Sequence, residues 1–309
     1  MASIGTTSTT TRSRLPRRVA VIGAALVIYL GTAALFVAVV SSVLPASRSG
    51  GGALFGERVA LIELEGLIVD VDDQVRELRA YRDNPGIRAV VIRINSPGGA
   101  VAPTQELYDA LRKFREAGKP VVASLGAVAA SGGYYVAVAA DQIYANPGTL
   151  TGSIGVVMQM ANLNALMKKV GVEYVVVKSG EFKDVGNFAR PMTAEERRIL
   201  QALLDDVHGQ FIAAVADGRK LDRAEVRRFA DGRVFSGSQA KALRMVDALG
   251  GLEEAVDGAA TLAGLPKPPR VVGPRRRFSI VDLLRNQLGL TGLAGRALPL
   301  LRTPLYLMD

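Results

Sequence analysis

Ser131 stands in Ala129-Ala130-Ser131-Gly132-Gly133-Tyr134-Tyr135, after the apolar run Pro120 to Leu125 and before the helix-like run Tyr134 to Ala140. A strand, small residues, a serine and two glycines read as a strand feeding a helix N-terminus, with the serine at the turn. A nucleophilic hydroxyl suits that place, because glycines admit close backbone approach and the free N–H groups of a first helical turn can stabilise a nearby anion. The same residues also suit a plain helix cap.

Three other stretches carry residues that can complete such chemistry. Asn95-Ser96-Pro97-Gly98-Gly99-Ala100 follows the strand-like run Ala89 to Ile94; Gly98 can offer one backbone N–H to an oxyanion and Gly132 a second, or the glycines simply make a turn. In Ser179-Gly180-Glu181-Phe182-Lys183-Asp184-Val185-Gly186, Lys183 is either a solvated loop charge or, buried between Phe182 and Val185, an amine with a lowered pKa. A neutral amine can take a proton from a serine hydroxyl. In Thr151-Gly152-Ser153-Ile154-Gly155, Ser153 can hold that amine by a hydrogen bond, or the segment is a glycine turn.

Composition narrows the chemistry. There is no cysteine, so disulfides, thiolate nucleophiles and Cys-ligated metals are excluded. His208 is the one histidine, so a multi-histidine metal site is impossible and any Ser/His/Asp triad must use it. It lies in a helical run between Asp206 and Gln210 and reads as a helix-surface or interface residue. The net charge of +9 is concentrated partly at Arg12, Arg14, Arg17 and Arg18 and at Arg275 to Arg277. Without aromatic and basic interleaving, those clusters fit a membrane surface better than nucleic acid.

The elements that must position these residues begin after a Ser/Thr-rich and then basic stretch, 1–18, expected to be a disordered cytoplasmic tail. From Val19 to Leu44 there are 26 residues without a charge. That length crosses a bilayer as a helix with some tilt, and the preceding arginines put the N-terminus in the cytoplasm. Residues 45–57 read as a linker. Within 58–265, β-like runs at Arg58 to Val69, Ala89 to Ile94, Pro120 to Leu125, Gln142 to Ala145, Ile154 to Met158 and Glu173 to Lys178 alternate with helical runs. The helices are expected at Asp72 to Tyr81, Pro103 to Ala117, Gly132 to Ala140 and Asn162 to Val170. Strands separated by helices predict an α/β fold with a parallel sheet covered on both faces. After Pro191 the pattern is helical, opened by the capping box Thr193 to Glu196, running to about Asp217, with further caps at Asp222 and Ser236. Residues 266–309 form a basic and apolar extension, with a proline-rich break at Pro266 to Pro274. Phe278 to Leu288 reads as a basic amphipathic helix for a membrane surface or a neighbouring subunit, or as an ordinary packing helix, and Leu298 to Asp309 as an apolar tail able to occupy the substrate groove of its own assembly.

Taken together, Asn95 to Gly99, Ala130 to Tyr135, Thr151 to Gly155, Gly180 to Gly186 and Ala230-Asp231-Gly232-Arg233-Val234-Phe235 resemble the signal peptide peptidase A family in its short bacterial form. This serine protease family is related in fold to Clp protease and crotonase. The likeness runs from about Val59 to Leu252 and includes the 52-residue separation of Ser131 and Lys183. It implies repeated β-β-α units with a C-terminal helical extension, preceded by one transmembrane helix. It also implies a Ser131/Lys183 dyad, Ser153 orienting the lysine, Gly98 and Gly132 as oxyanion donors, and no metal or cofactor. Implied partners are signal peptides and other apolar peptides, the lipid bilayer, and further copies of the chain in a homo-oligomer whose dyads can be shared between protomers. The implied location is the bacterial cytoplasmic membrane, single-pass, with the catalytic domain outside the cytoplasm. The competing readings are a protease of the same clan dedicated to one membrane-protein partner, a catalytically silent oligomeric scaffold, and a crotonase-like acyl-CoA enzyme. The last fits an extracytoplasmic domain poorly.

Overall fold

Alternate residues of the central strands face two different cores, which fixes the sheet as a layer covered on both sides. The structure, a computed structural model, describes residues 56–273, together with Gly31 and residues 305–306. In chain order the first elements are β1 (Arg58–Glu65), α1 (Asp72–Arg82), β2 (Ile87–Ser96), β3 (Gly99–Ala100), α2 (Val101–Glu116) and β4 (Val121–Ala130). There follow α3 (Gly132–Ala137), β5 (Gln142–Ala145), β6 (Leu150–Gly152), α4 (Asn164–Lys169), α5 (Ala194–Arg219) and α6 (Arg223–Arg227). Beyond these lie β7 (Val234–Ser236), α7 (Gly237–Ala242), β8 (Ala248–Leu249), α8 (Leu252–Leu262), β9 (Arg270–Val272) and β10 (Leu305–Tyr306).

Side chains alternate across a strand, so Ala60, Ile62, Leu64, Val90, Ile92 and Ile94 enter the larger core with Leu107, Leu111 and Phe114 of α2. Val59, Ala89, Val91 and Val122 enter the smaller one, against Ala255, Ala259 and Ala260 of α8. Runs without a polar face are what a parallel sheet buried on both sides requires.

The main sheet runs β7-β6-β4-β2-β1-β9, parallel except where β7 meets β6. β4 serves two neighbours: Val122 to Leu125 pair with β5, and Val128 to Ala130 pair with β6. The break between them falls at Gly126, whose carbonyl accepts from the Thr149 hydroxyl at 2.7 Å. β4 therefore runs five residues further than the apolar run ending at Leu125 predicts, because Val128 to Ala130 find a second parallel partner in β6.

α5 is pinned at both ends. Thr193 and Glu196 form the predicted capping box, the threonine hydroxyl accepting from Glu196 N–H (3.1 Å) and the glutamate accepting from Thr193 N–H (2.9 Å). At its far end the buried Arg219 makes paired bonds to Asp247 (2.7 and 2.8 Å), which also accepts from Ile143 N–H of β5 (2.8 Å).

Two expected strands are not formed. Ile154 to Met158 has only a single bridge residue, and Glu173 to Lys178 has no strand pairing at all. Both are β-branched runs, but a strand needs a partner edge, and among the described residues none pairs with the second segment. The amphipathic helix expected at Phe278 to Leu288 lies outside the described residues. So does the expected span 19–44, apart from Gly31; among the described residues no helix is long and apolar enough to cross a membrane.

Candidate active site

Ser131 leaves β4 with φ 52° and ψ −118°, a conformation that non-glycine residues seldom adopt and that costs on the order of 1–3 kcal/mol. Two hydrogen bonds hold it there: its N–H donates to Gly152 O (2.8 Å), and its carbonyl accepts from Tyr135 N–H of α3 (2.9 Å). The residue is fully buried, and its hydroxyl has no hydrogen-bond partner among the described residues. Buried hydroxyls are normally satisfied, so a strained, unpartnered one calls for an explanation beyond packing. The hydroxyl does not cap α3 either.

Ser153 repeats the geometry one strand away. Because Ala130 pairs with Gly152 in parallel register, Ser131 and Ser153 leave adjacent strands at the same level. Ser153 also has a positive φ, 51°, is nearly buried, and donates its N–H to Arg233 O (2.8 Å). The segment Asp231 to Val234, part of the fifth motif singled out in the sequence, thus fixes the backbone of the second serine.

The Gly98 turn is delivered by β2, whose last residue, Ser96, pairs with Ala129 of β4. Gly98 has φ 111°, its carbonyl accepts from Ile68 N–H (2.9 Å), and its own N–H donates to the Ser96 hydroxyl (3.1 Å). A Cβ on Gly132 would stand 2.8 Å from Thr104 Oγ1, 3.2 Å from Gly99 N and 3.3 Å from Gly98 Cα, and one on Gly99 would stand 2.0 Å from Ile68 O. The start of α3 and the Gly98-Gly99 turn therefore touch through backbone alone, an approach only glycine permits. β10 pairs antiparallel with β3, Leu305 opposite Ala100 and Tyr306 opposite Gly99.

Lys183 makes no hydrogen bond to the Ser131 hydroxyl. It is exposed, which is the solvated of the two readings its sequence allows, and Phe182 is itself 42% exposed. Its loop is a series of turns closed by Lys183 N–H to Gly180 O (3.2 Å), Val185 N–H to Phe182 O (3.3 Å) and Asn187 N–H to Asp184 O (3.0 Å). The neighbouring Asp184 is gripped by two cations. Lys178 Nζ lies 2.6 Å from Oδ1, and the Arg190 guanidinium makes a forked contact of 2.9 and 3.0 Å. Arg190 turns its other edge to Glu196, bonding Oε2 at 2.8 Å and also Oε1. The Arg190 and Lys178 bonds hold the Asp184 carboxyl far below the usual carboxylate range. Arg190, followed by Thr193 N–H, holds Glu196 down to about 2.

The segment preceding this loop leaves many apolar side chains in water, among them Leu166, Val170, Val172, Tyr174, Val175 and Val177, the last 96% exposed. Exposed apolar side chains gathered in one short segment are a common mark of an interaction surface. His208 was placed by its sequence on a helix surface. The structure keeps it on helix α5, half-buried, in the wall of a cavity of about 770 Å³ lined also by Ser153, Gly155, Asp205, Asp231 and Arg233, with its Nε2 atom buried and unpartnered among the described residues. Sequence distance hid this, since α5 returns to the glycine turns only through tertiary packing. Tyr134 and Tyr135 pack as expected, Tyr134 fully buried with its hydroxyl donating to Met245 O (2.9 Å).

Comparison with known proteins follows the same residues. The profile of peptidase family S49 matches residues 113–266. The chain is 47% identical over 211 residues to a Synechocystis protein named Putative protease slr0021, covering 68% of this chain and 76% of that one. It is 35% identical over 219 residues to Protease 4 of Salmonella typhi (68% and 35% coverage). It is 29% identical over 214 residues to a protein of Enterococcus faecium named Putative signal peptide peptidase SppA (65% and 62%). The chain thus spans three quarters of the first of these relatives but only about a third of the Salmonella protein. It belongs to peptidase family S49, among the proteases of the signal peptide peptidase A type.

Proposed function

We propose that the chain is a membrane-anchored serine endopeptidase that degrades signal peptides and other apolar peptides after their release in the membrane. The observation that carries this reading is the buried, unpartnered Ser131 hydroxyl, held on a strained turn against the Gly98-Gly99 backbone. Neutral Lys183 takes the Ser131 proton as Oγ attacks the peptide carbonyl. The resulting oxyanion is held by the N–H groups of Gly98 and Gly132, the Gly98 N–H exchanging its bond to Ser96 for one to substrate. Each such donor contributes roughly 3–4 kcal/mol to the transition state. The tetrahedral adduct collapses to a Ser131 ester while the lysine ammonium protonates the departing amine. Water, deprotonated by the same lysine, then hydrolyses the ester to a carboxylate and free Ser131. Ser153 holds the amine between steps.

Because Lys183 is exposed and the Ser131 hydroxyl has no partner among the described residues, the base reaches the nucleophile of a second copy. The exposed apolar run around Val170 to Val177 supports such a homo-oligomer, as each copy would cover it. The division of β4 between two sets of neighbours supports the β-β-α repeats of Clp protease and crotonase. The pairing of residues 305–306 on β3 supports substrates that bind as an added strand, and supports the reading of the apolar tail as an occupant of that groove. In this reading 1–18 is a cytoplasmic tail, 19–44 the membrane anchor, 45–57 a tether, 58–265 the extracytoplasmic protease domain and 266–309 its extension. No metal or cofactor takes part. The test is hydrolysis of a fluorogenic apolar peptide by the full chain in detergent micelles. Loss of turnover in both Ser131→Ala and Lys183→Ala is expected. A well-assembled wild type without turnover on any apolar peptide would favour the dedicated-partner or scaffold readings.

A further inference from the structure

The proposed base has an acid as its immediate neighbour, and such a neighbour works against it. A free Asp184 carboxylate beside Lys183 would stabilise the ammonium form and leave less neutral amine at any given pH. In the structure that carboxylate is not free. Lys178 and Arg190 occupy both of its oxygens, Asn187 Nδ2 adds a long contact (3.4 Å), and Lys178 is itself steadied by Glu181 O (2.7 Å). Arg190 is in turn anchored to Glu196, which is 3% exposed and belongs to the capping box of α5. A guanidinium that fits two carboxylates by planar forks is a more specific device than a loop needs for mere closure, which the three turn bonds already supply.

We propose that Arg190 is a positioning residue for the reaction: it ties Asp184 to the fixed N-terminus of α5 and so keeps that carboxylate from pairing with Lys183. This inference rests on the reading of Lys183 as the base. The charged groups of the loop and its anchor are Lys178, Glu181, Lys183, Asp184, Arg190, Glu195 and Glu196. Across the shared site Lys183 would meet the cavity beside Ser153, with Asp205, His208, Asp231 and Arg233. Those four are unchanged in every variant below, so their effect cancels in comparison with wild type.

The experiment is the pH dependence of kcat/KM for a fluorogenic apolar peptide, using full chain in detergent micelles and variants verified as assembled by size-exclusion chromatography. Arg190→Ala is expected to move the acid limb of the profile up by about one unit, a roughly tenfold loss of activity on that limb. Adding Asp184→Asn to Arg190→Ala is expected to return the limb to its wild-type position even if kcat stays low, because no carboxylate remains to pair. Lys178→Met, which leaves the α5 anchor intact, is expected to give a smaller upward shift and serves where Arg190→Ala does not assemble. An acid limb unmoved in both Arg190→Ala and Lys178→Met, or unmoved by the added Asp184→Asn, would overturn the inference. Persistence of activity in Lys183→Ala would instead overturn the underlying assignment of the base.

Discussion

The contact between Gly132 and the Gly98-Gly99 turn makes the sharpest prediction, because a single methyl group tests it. In Gly132→Ala the new Cβ would lie 2.8 Å from Thr104 Oγ1, 3.2 Å from Gly99 N and 3.3 Å from Gly98 Cα. None of these can swing aside. Thr104 Oγ1 is on a short side chain already bonded to Ala100 O at 2.8 Å, and the other two atoms are backbone. Ordinary contact requires about 3.4 Å or more, so α3 and the glycine turn must separate by roughly half an ångström. Overpacking of this kind costs about 1–3 kcal/mol, or ~2–12 °C in Tm for a domain of this size. The larger effect falls on catalysis. Both proposed oxyanion donors lie on the two surfaces being pushed apart, and loss of one donor is worth about 10²–10³ in kcat. The assay is kcat and KM on the fluorogenic peptide alongside thermal unfolding. The expected result is kcat down ~10²-fold with KM nearly constant, and partial recovery on adding Thr104→Ala, which removes the closest contact. A Gly132→Ala variant with unaltered kcat and Tm would refute the placement of the oxyanion site between these segments.

Replacement of Ser131 by glycine should abolish turnover yet raise stability by about 1 kcal/mol, since the backbone strain at φ 52° disappears; unfolding by urea measures this, and a loss of stability would contradict the strain argument. Acid stability follows from Asp184 and Glu196. Their carboxyl pKa values are depressed in the folded state, Glu196 to about 2, so their contribution is complete above the unfolded values near 4 and is lost as pH falls from about 5 toward 2. The urea midpoint should fall over that window in wild type and more gently in Arg190→Ala; equal slopes would remove the clamp from the stability account. Deletion of Leu298 to Asp309 should speed peptide hydrolysis at low substrate concentration. Unchanged hydrolysis, with the tail found intact in active enzyme by mass spectrometry, would exclude its occupying the groove.

What the sequence made legible was whatever depends on near neighbours along the chain. The box Thr193 to Glu196 and the caps at Asp222 and Ser236 are decided by residues two or three apart, and all three are formed. The apolar strand Ala89 to Ile94 could only be a buried strand, and it forms the middle of β2. Glu173 to Lys178 failed for the opposite reason: its composition favours extended chain, but whether a strand forms depends on a partner edge that composition does not encode. The glycine motifs located Ser131, Ser153, Gly98 and Gly132, and tertiary pairing of β2, β4 and β6 brings all four to one level. The positive φ of the two serines was not legible, since glycine neighbours are compatible with many turns. Nor was the Asp184, Arg190 and Glu196 clamp, because three charges spread over 13 residues look in sequence like ordinary solvated ones. That His208 lines the Ser153 cavity was not legible either, because only the packing of helix α5 brings it there.

The central claim, a serine of one copy served by a lysine of another, is tested most directly by mixing two inactive variants, Ser131→Ala and Lys183→Ala, under conditions that dissociate and reassemble the oligomer. Each variant alone should be inactive. In a random equal mixture, half of the sites carry an intact serine and half of those meet an intact lysine, so about a quarter of the wild-type peptide hydrolysis should return. A reassembled mixture as inactive as its components would contradict the shared dyad and place the base, if there is one, within the same chain as Ser131.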